Sequence, residues 1–442
     1  MSAINTHLNE THDPKARSWI ESANAPETDF PLQNLPFGVF THRNASGSIG
    51  VAIGDQVLDL CTCACNGLLI GVDEITVEAC QEDQLNLLMS VGSARWSALR
   101  KAIFLMLRDD SAQREEASKR LLPASDVQML LPAAIGDYTD FYASIFHARN
   151  VGALFRPDNP LLPNYRWVPI GYHGRASSIV PSGTPIKRPK GQTRAPESDA
   201  PQVGPSKRLD YELEVGVLVG PGNEQGEPVA INDASEHVFG YCLVNDWSAR
   251  DIQAWEYQPL GPFLAKSFAT TLSPWVVTAE ALAPFRCAPL SRSADDPQPL
   301  PYLLSEDDQQ RGGVNISLEV LISSRKMREA NCAPVRLSRG NFRDMYWTFA
   351  QMLTHHTSNG CNLRPGDLLA SGTVSGPEPE NRGCLLELTR GGAESITLPT
   401  GEQRKFLEDG DEIIIRGYCE REGARRIGFG ECKGTIVGSH AE

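Results

Sequence analysis

The residues best suited to chemistry fall in three segments. In "LDYELEVGVLVG", Leu209 to Gly220, apolar residues alternate with Asp210, Glu212, Glu214, Gly216 and Leu218, the period-2 pattern of a strand. Glu212 and Glu214, at i and i+2, point the same way, roughly 6.5–7 Å apart along the backbone. So placed, they could converge on one hard cation, with oxygens at about 2.3–2.6 Å if it is calcium. The alternative is the solvated face of a half-buried strand. Gly216 and Leu218 on the same face argue that it is not uniformly wet. Asp210 lies outside the cation reading and is expected at the strand edge, facing water or a basic side chain.

The second segment is "IGDYTDFYASIFHARNVGALFR", Ile135 to Arg156. A helix starting near Asp140 would bring His147 back to the same face about 10.5 Å along the axis. The pair would then be an acid and an imidazole on one face; otherwise Asp140 is a plain N-cap and His147 a satisfied surface residue. The third is "NDWSARDIQAWEYQPLGPFLAKSFATT", Asn245 to Thr271. With Ser248 as N-cap, Arg250, Gln253 and Tyr257 share a helical face. That stripe is an exposed face or a clamp for an anion or carbonyl. Asp246 precedes it and Lys266 follows. Other chemistries fit worse. His355 and His356 are adjacent and point apart, and neither a nucleophile elbow nor a phosphate-binding loop is present.

The elements that must hold these groups look β-rich. The 442 residues suffice for two or three domains, and 38 Gly with 31 Pro suit many short elements joined by tight turns. A net charge of −14 argues against nucleic acid and anionic membranes as partners. The eleven Cys are scattered without zinc-knuckle spacing, which reads as free, mostly buried thiols in a reducing compartment. The N-terminal stretch has no apolar core of a secretory signal, and no apolar run reaches the ~20 residues of a membrane span. The expectation is a soluble, cytoplasmic protein in which the tripeptide Asn44 to Ser46 is not a glycosylation site.

Residues 1–16 are expected to be a disordered tail, and residues 17–131 a small β-rich domain with helices. In it "SIGVAI" and "QVLDL" flank a Gly54-Asp55 hairpin turn, a helical stretch covers about 83–108, and 121–132 is a connector. Residues 132–442 form a second unit dense in strand signals. It has a surface loop or insertion over about 284–312 and a helix over about 343–358. Gly220 to Gly222 reads as a turn.

Several long stretches resemble the fumarylacetoacetase family: "IGDYTDFYASIFHARNVG", "IGYHGRASSIVPSGTPIKRP", "LDYELEVGVLVGPGN", "VNDWSARDIQAWEYQPLGPFLAKSFATT" and "QMLTHHTSNGCNLRPGDLLASGTVSGPEPEN". "DFPLQNLPFGVF" resembles the start of that family's N-terminal region, so the likeness runs over nearly the whole chain. The resemblance implies an α+β, mostly β fold, with an SH3-like N-terminal barrel and a larger β-roll, working as a homodimer. It implies metal-dependent hydrolysis of the carbon–carbon bond of 4-fumarylacetoacetate to fumarate and acetoacetate, the last step of tyrosine and phenylalanine catabolism. The implied calcium site is Asp140, Glu212, Glu214 and Asp246. A magnesium site would use Asp246, Lys266 (through its backbone carbonyl) and Thr270. The implied base is His147, oriented by Glu387, with Arg250, Gln253 and Lys266 stabilising negative charge. Implied substrate contacts are Tyr142, Arg156, Tyr172, Gln253, Tyr257 and Thr373. Arg149, Ala269 and the 287–312 insertion depart from the family pattern without removing a motif residue. Rival readings are a shorter-chain acylpyruvase or oxaloacetate decarboxylase chemistry, and a catalytically silent metal-binding protein. The pairing of His147 with Glu387 speaks against the latter.

Overall fold

A computed structural model of the protein describes residues 8–43, 46–195 and 197–439. Residues 1–7 of the expected tail, and Asn44 and Ala45 of the glycosylation tripeptide, lie outside the described residues. The chain is mixed α/β and mostly β. Among the described residues no helix is long and apolar enough to cross a membrane.

The first unit is a five-stranded antiparallel sheet. β1 (Phe37–Thr41), β2 (Ser48–Ile53), β3 (Gln56–Asp59), β4 (Leu121–Pro123) and β5 (Gln128–Met129) lie in the order β4-β3-β2-β1-β5. The Gly54-Asp55 turn joins β2 to β3, with Gly54 at φ 58°, a conformation that glycine adopts without strain. The expected connector over 121–132 instead supplies both edge strands, too short to show a period in sequence. The expected helix over 83–108 is two helices, Asn86–Ser90 and α1 (Ser93–Leu107), interrupted at Gly92 with φ 91°. The expected disorder of 1–16 does not hold for its described part. Thr11 and His12 are buried, His12 Nε2 lies 2.9 Å from the Glu280 carbonyl, and Thr11 Oγ1 accepts from Arg100 Nε at 3.0 Å.

Among the described residues the second unit carries two large sheets, besides four two-stranded ones. In chain order the strands of the two large sheets are β6 (Tyr138–Phe141), β7 (Gly171–His173), β8 (Ile179–Pro181), β9 (Ile186–Lys187), β10 (Leu213–Val219), β11 (Val238–Asp246), β12 (Thr270–Leu272), β13 (Val277–Thr278), β14 (Ser317–Ser323), β15 (Val335–Asn341), β16 (Leu368–Ala370), β17 (Glu412–Cys419) and β18 (Ile427–Val437). The larger sheet runs β7-β6-β16-β10-β11-β12-β8, with β13 also pairing β11. The smaller runs β15-β14-β17-β18-β9. Three helices matter here: α2 (Ile145–Phe155), α3 (Arg250–Glu256) and the turn α4 (Leu385–Leu388).

The expected helix over 343–358 begins only at Phe349, where Thr348 and Gln351 form a capping box. The 284–312 segment is not a bare loop, for it includes short helices at Pro301–Leu303 and Glu306–Arg311 and buries Leu303 and Asp308.

The larger sheet is covered on both faces. From β10, Leu213, Val215, Val217 and Val219 pack with Leu318, Val320, Ile413 and Ile415 of the smaller sheet. The opposite face contributes Leu218, Val244, Leu272 and Leu368 to a core shared with Ile49, Val51, Leu99 and Ile103 of the first unit. The four odd-numbered β10 side chains contribute roughly 6–12 kcal/mol by burial. That is enough to carry the several kcal/mol of desolvation that a buried carboxylate on the same strand imposes.

Gly220 marks where the units meet, a close approach rather than a phosphate cradle. A Cβ there would stand 2.5 Å from Trp96 Cη2, and the indole is pinned by an Nε1 hydrogen bond of 2.7 Å to the Leu88 carbonyl. Gly220→Ala is therefore expected to destabilise the protein by about 1–3 kcal/mol through overpacking, read as a lowered chemical-denaturation midpoint; an unchanged midpoint would show that the indole can yield.

Candidate active site

The two-faced burial decides how the strand Leu209–Gly220 reads. It is not continuous: Leu209–Asp210 pairs with Ser248–Ala249, and β10 begins at Leu213. Neither face is wet. Glu214 is fully buried and Glu212 is 5% exposed. Asp140 lies on β6, not at the start of a helix, and the helix that carries His147 begins at Ile145 with Ser144 as its N-cap. The short parallel ladder of β6 with β16, which sets Asp140 beside Ala370, overrides the local helical pattern. Asp246 ends β11 opposite Thr270 of β12. Asp140, Glu214 and Asp246 from three strands, and Glu212 from the link just before β10, thus meet, with oxygens that lie within 4.8 Å of one another.

Around them stand Lys266, Arg250, Thr270 and Tyr172. Lys266 Nζ bonds Glu212 Oε2 at 2.5 Å and Asp246 Oδ2 at 2.7 Å. Arg250 Nη1 meets Glu212 Oε1 at 2.7 Å. Thr270 Oγ1 donates to Asp246 Oδ1, and Tyr172 OH to Asp246 Oδ2, both at 2.8 Å. Asp210, expected toward water, is fully buried against Arg250 Nε at 2.9 Å, so only the basic partner was foreseen. Five carboxylates then face two cations, leaving three negative charges in excess when all are ionised.

The charge imbalance has a visible consequence. Burial, reinforced by neighbouring carboxylates, pushes the Asp140 and Glu214 carboxyls well above their ordinary range. Burial acts on Glu212 in the same direction, but the Lys266 ammonium and the Arg250 guanidinium overcome it and hold that carboxyl low. Asp140 Oδ1 and both Glu214 oxygens have no hydrogen-bond donor. Unpartnered buried carboxylate oxygens, with no sulfur or nitrogen ligand among them, fit a hard divalent cation.

Near enough that its imidazole helps to hold the Glu212 carboxyl low sits an acid–base pair. His147, 3% exposed, places Nδ1 2.6 Å from Glu387 Oε2. That contact fixes Nδ1 as the protonated nitrogen and leaves Nε2 to accept a proton. Tyr142 stands edge-on to the imidazole, 5.3 Å between ring centroids. Glu387 is held by Asn150 Nδ2 on Oε1 and Ser375 Oγ on Oε2, both at 2.8 Å, with the Cys384 thiol 3.2 Å from Oε2. Burial opposes its charge, yet His147 and these donors bring the Glu387 carboxyl down to about 2. Asn150, Ser375, Cys384 and Asp210 were not singled out as site residues. Asn150 was findable, three residues after His147 on one helical turn; the distant Ser375 left no signal.

The helical stripe is real but capped otherwise than expected. Ser248 lies in a strand, Ala249 is the N-cap of α3, and its side chain makes no cap bond. Gln253 Oε1 accepts from Arg250 Nη1 at 3.2 Å, and Tyr257 is the C-cap, half-buried. Thr373 is buried with Oγ1 unpartnered. Arg156 differs from the buried centre: it is exposed at the end of α2, with Nη2 3.4 Å from the Pro160 carbonyl. All eleven cysteines are free.

Known proteins share this arrangement of chain. The family model described as fumarylacetoacetate (FAA) hydrolase C-terminal matches residues 138–437, and that described as fumarylacetoacetase N-terminal matches 33–132. The chain is 50% identical to the fumarylacetoacetase of Bos taurus over 425 residues, 93% of this chain and 97% of that one. It is 48% identical to that of Oryza sativa subsp. japonica over 430 residues, covering 95% and 97%. The solved fumarylacetoacetate hydrolase of Exiguobacterium antarcticum aligns over 91% of this chain and 99% of its own, at 18% identity and a TM-score of 0.49.

Glu387 also makes a pH prediction. Its carboxyl is lowered from an ordinary 4.5 to about 2, so its ionisation stabilises the fold fully above pH 4.5, and that contribution is lost as pH falls through 2. Denaturation midpoints of the protein and of Glu387→Gln, measured through the acid range, should therefore converge as pH falls from 4.5 toward 2. A gap that stays constant would show that the partners do not hold the carboxylate ionised.

Proposed function

The chain belongs to the fumarylacetoacetase family, and on that premise we propose that its buried carboxylate cluster and His147–Glu387 pair together hydrolyse the carbon–carbon bond of 4-fumarylacetoacetate, releasing fumarate and acetoacetate. The observation that carries this reading is the 2.6 Å contact between His147 and Glu387 next to a four-carboxylate cluster with unsatisfied oxygens. An acid–base pair alone would suit many hydrolases, and a hard-cation site alone would suit a silent binding protein. Their adjacency suits a substrate that is both a chelating 1,3-diketone and an electrophile.

Asp140, Glu212, Glu214 and Asp246 would hold calcium, and Asp246, Thr270 and the backbone carbonyl of Lys266 would hold magnesium. A bound divalent cation would polarise the diketone oxygens. His147 Nε2 takes a proton from water, while Glu387 stabilises the imidazolium that results. The hydroxide adds to the carbonyl carbon and places an oxyanion opposite Arg250 and Lys266, with Gln253 orienting the guanidinium. When the carbon–carbon bond breaks, its electron pair leaves on acetoacetate as an enolate, which takes the proton from His147. Tyr142, Tyr172, Tyr257 and Thr373 would contact the substrate, and Arg156 would offer a cation to one of its carboxylates.

We read the first unit as an SH3-like barrel and the second as a β-roll, with the boundary at 131/132, at the end of the first matched family region and before the second begins at 138. A homodimer is supported by the exposed Leu260, Phe263 and Leu264, which follow α3 in one segment and suit cover by a second copy. A cytoplasmic location in tyrosine and phenylalanine catabolism agrees with eleven unbridged cysteines.

The direct test is the loss of diketone absorbance when fumarylacetoacetate is added, with and without a chelator. Turnover that requires added divalent metal is expected after chelation, and chelator-insensitive turnover would sink the metal half of the reading. His147→Ala should keep its metal and lose at least roughly 10²-fold in kcat; undiminished turnover would remove it as the base. Glu212→Ala should lose metal occupancy and rate together, measured by elemental analysis beside the assay.

A further inference from the structure

Asp210 has no role in the reaction as described, yet it is wired into both halves of the machinery. Its side chain is fully buried and accepts four hydrogen bonds. Oδ1 takes the Leu385 N–H at 2.8 Å and its neighbour Tyr211's at 2.9 Å. Oδ2 takes the Leu386 N–H and Arg250 Nε–H, both at 2.9 Å.

Leu385 and Leu386 open α4, the turn that carries Glu387. The N-cap of that turn, Cys384, makes no side-chain cap bond, so its first free N–H groups are satisfied from a distant strand. Arg250 is the guanidinium assigned above to the oxyanion. Asp210 occupies its Nε, and Glu212 and Gln253 occupy Nη1. Nη2 is buried and has no partner. A planar fork fixed at two corners presents its third in a set direction.

We propose that Asp210 is a positioning residue for the hydrolysis: one carboxylate locks the Glu387 turn, and through it the imidazole of His147, at a fixed setting relative to the free Nη2 donor of Arg250. This rests on the roles proposed for Arg250, His147 and Glu387. A cap alone would explain the two N–H contacts, but a serine or asparagine caps as well. The bond to Arg250 Nε is what a cap does not need. An asparagine would also set its amide nitrogen against N–H donors on one side or the other.

The test uses the full chain with its divalent metal bound, as Asp210→Asn and Asp210→Ser, the serine keeping an acceptor for the turn but none for Arg250. Both are expected to lose about 10²-fold in kcat, the scale set by an ångström of misplacement, with KM and metal content little changed. Added to Glu387→Gln or Arg250→Met, Asp210→Asn should cost much less than it does alone, because it acts through those residues. Full rate in either Asp210 variant, or a full multiplicative loss in both double variants, would overturn the proposal and leave the reaction assignment standing. Full rate in Glu387→Gln and Arg250→Met would overturn the assigned roles and this proposal together. If the amide variant does not fold, the smaller serine variant decides, since restoration of the rate by a mere cap would overturn positioning.

Discussion

Four carboxylates inside a sheet covered on both faces are the constraint from which the rest follows. In water such a cluster would repel itself mildly; under two hydrophobic layers it must be compensated or protonated. The chain compensates it unequally. Glu212 and Asp246 receive Lys266, Arg250, Thr270 and Tyr172. Asp140 and Glu214 are left with oxygens that no side chain serves. The protein supplies part of the positive charge from its own chain and leaves a gap in compensation that a hard divalent ion fits.

Glu212 ties that gap to the acid–base pair. It is the one carboxylate of the four that meets both Lys266 and Arg250. Arg250 in turn reaches Asp210, and Asp210 reaches the turn that bears Glu387. A continuous chain of charged contacts therefore runs from the cation end of the site to the imidazole. Packed strands fix one end of it and a single helical turn the other.

The residues of the site were legible because their types are unusual for their surroundings: paired glutamates on an apolar strand, and a histidine seven residues after an aspartate. Their placement was harder to read. Asp140 looked like the start of a helix because the four-residue strand that holds it is too short to show a period, and its ladder partners, Tyr172 and Ala370, both lie outside that segment. Asp210 looked like an edge residue because its donors, Arg250 and the Leu385 and Leu386 amides, are brought in by the fold alone. The alternative of a solvated face for Glu212 and Glu214 fails for a similar reason. Period-2 alternation shows that a strand has two faces, not what covers the second. The edge strands Leu121–Pro123 and Gln128–Met129 escaped notice through brevity.

What covers that second face is the first domain, docked through Trp96 on Gly220 and by Ile49, Val51, Leu99 and Ile103 against the sheet. Val244, which belongs to that shared core, stands directly opposite Glu214 in the ladder. The domain donates none of the four clustered carboxylates, nor the histidine and glutamate beside them. By excluding water from the sheet face it nonetheless lowers the local dielectric, and with it sets how strongly every charge at the centre is felt. The electrostatic strength of the site is thus a property of a neighbouring domain's packing.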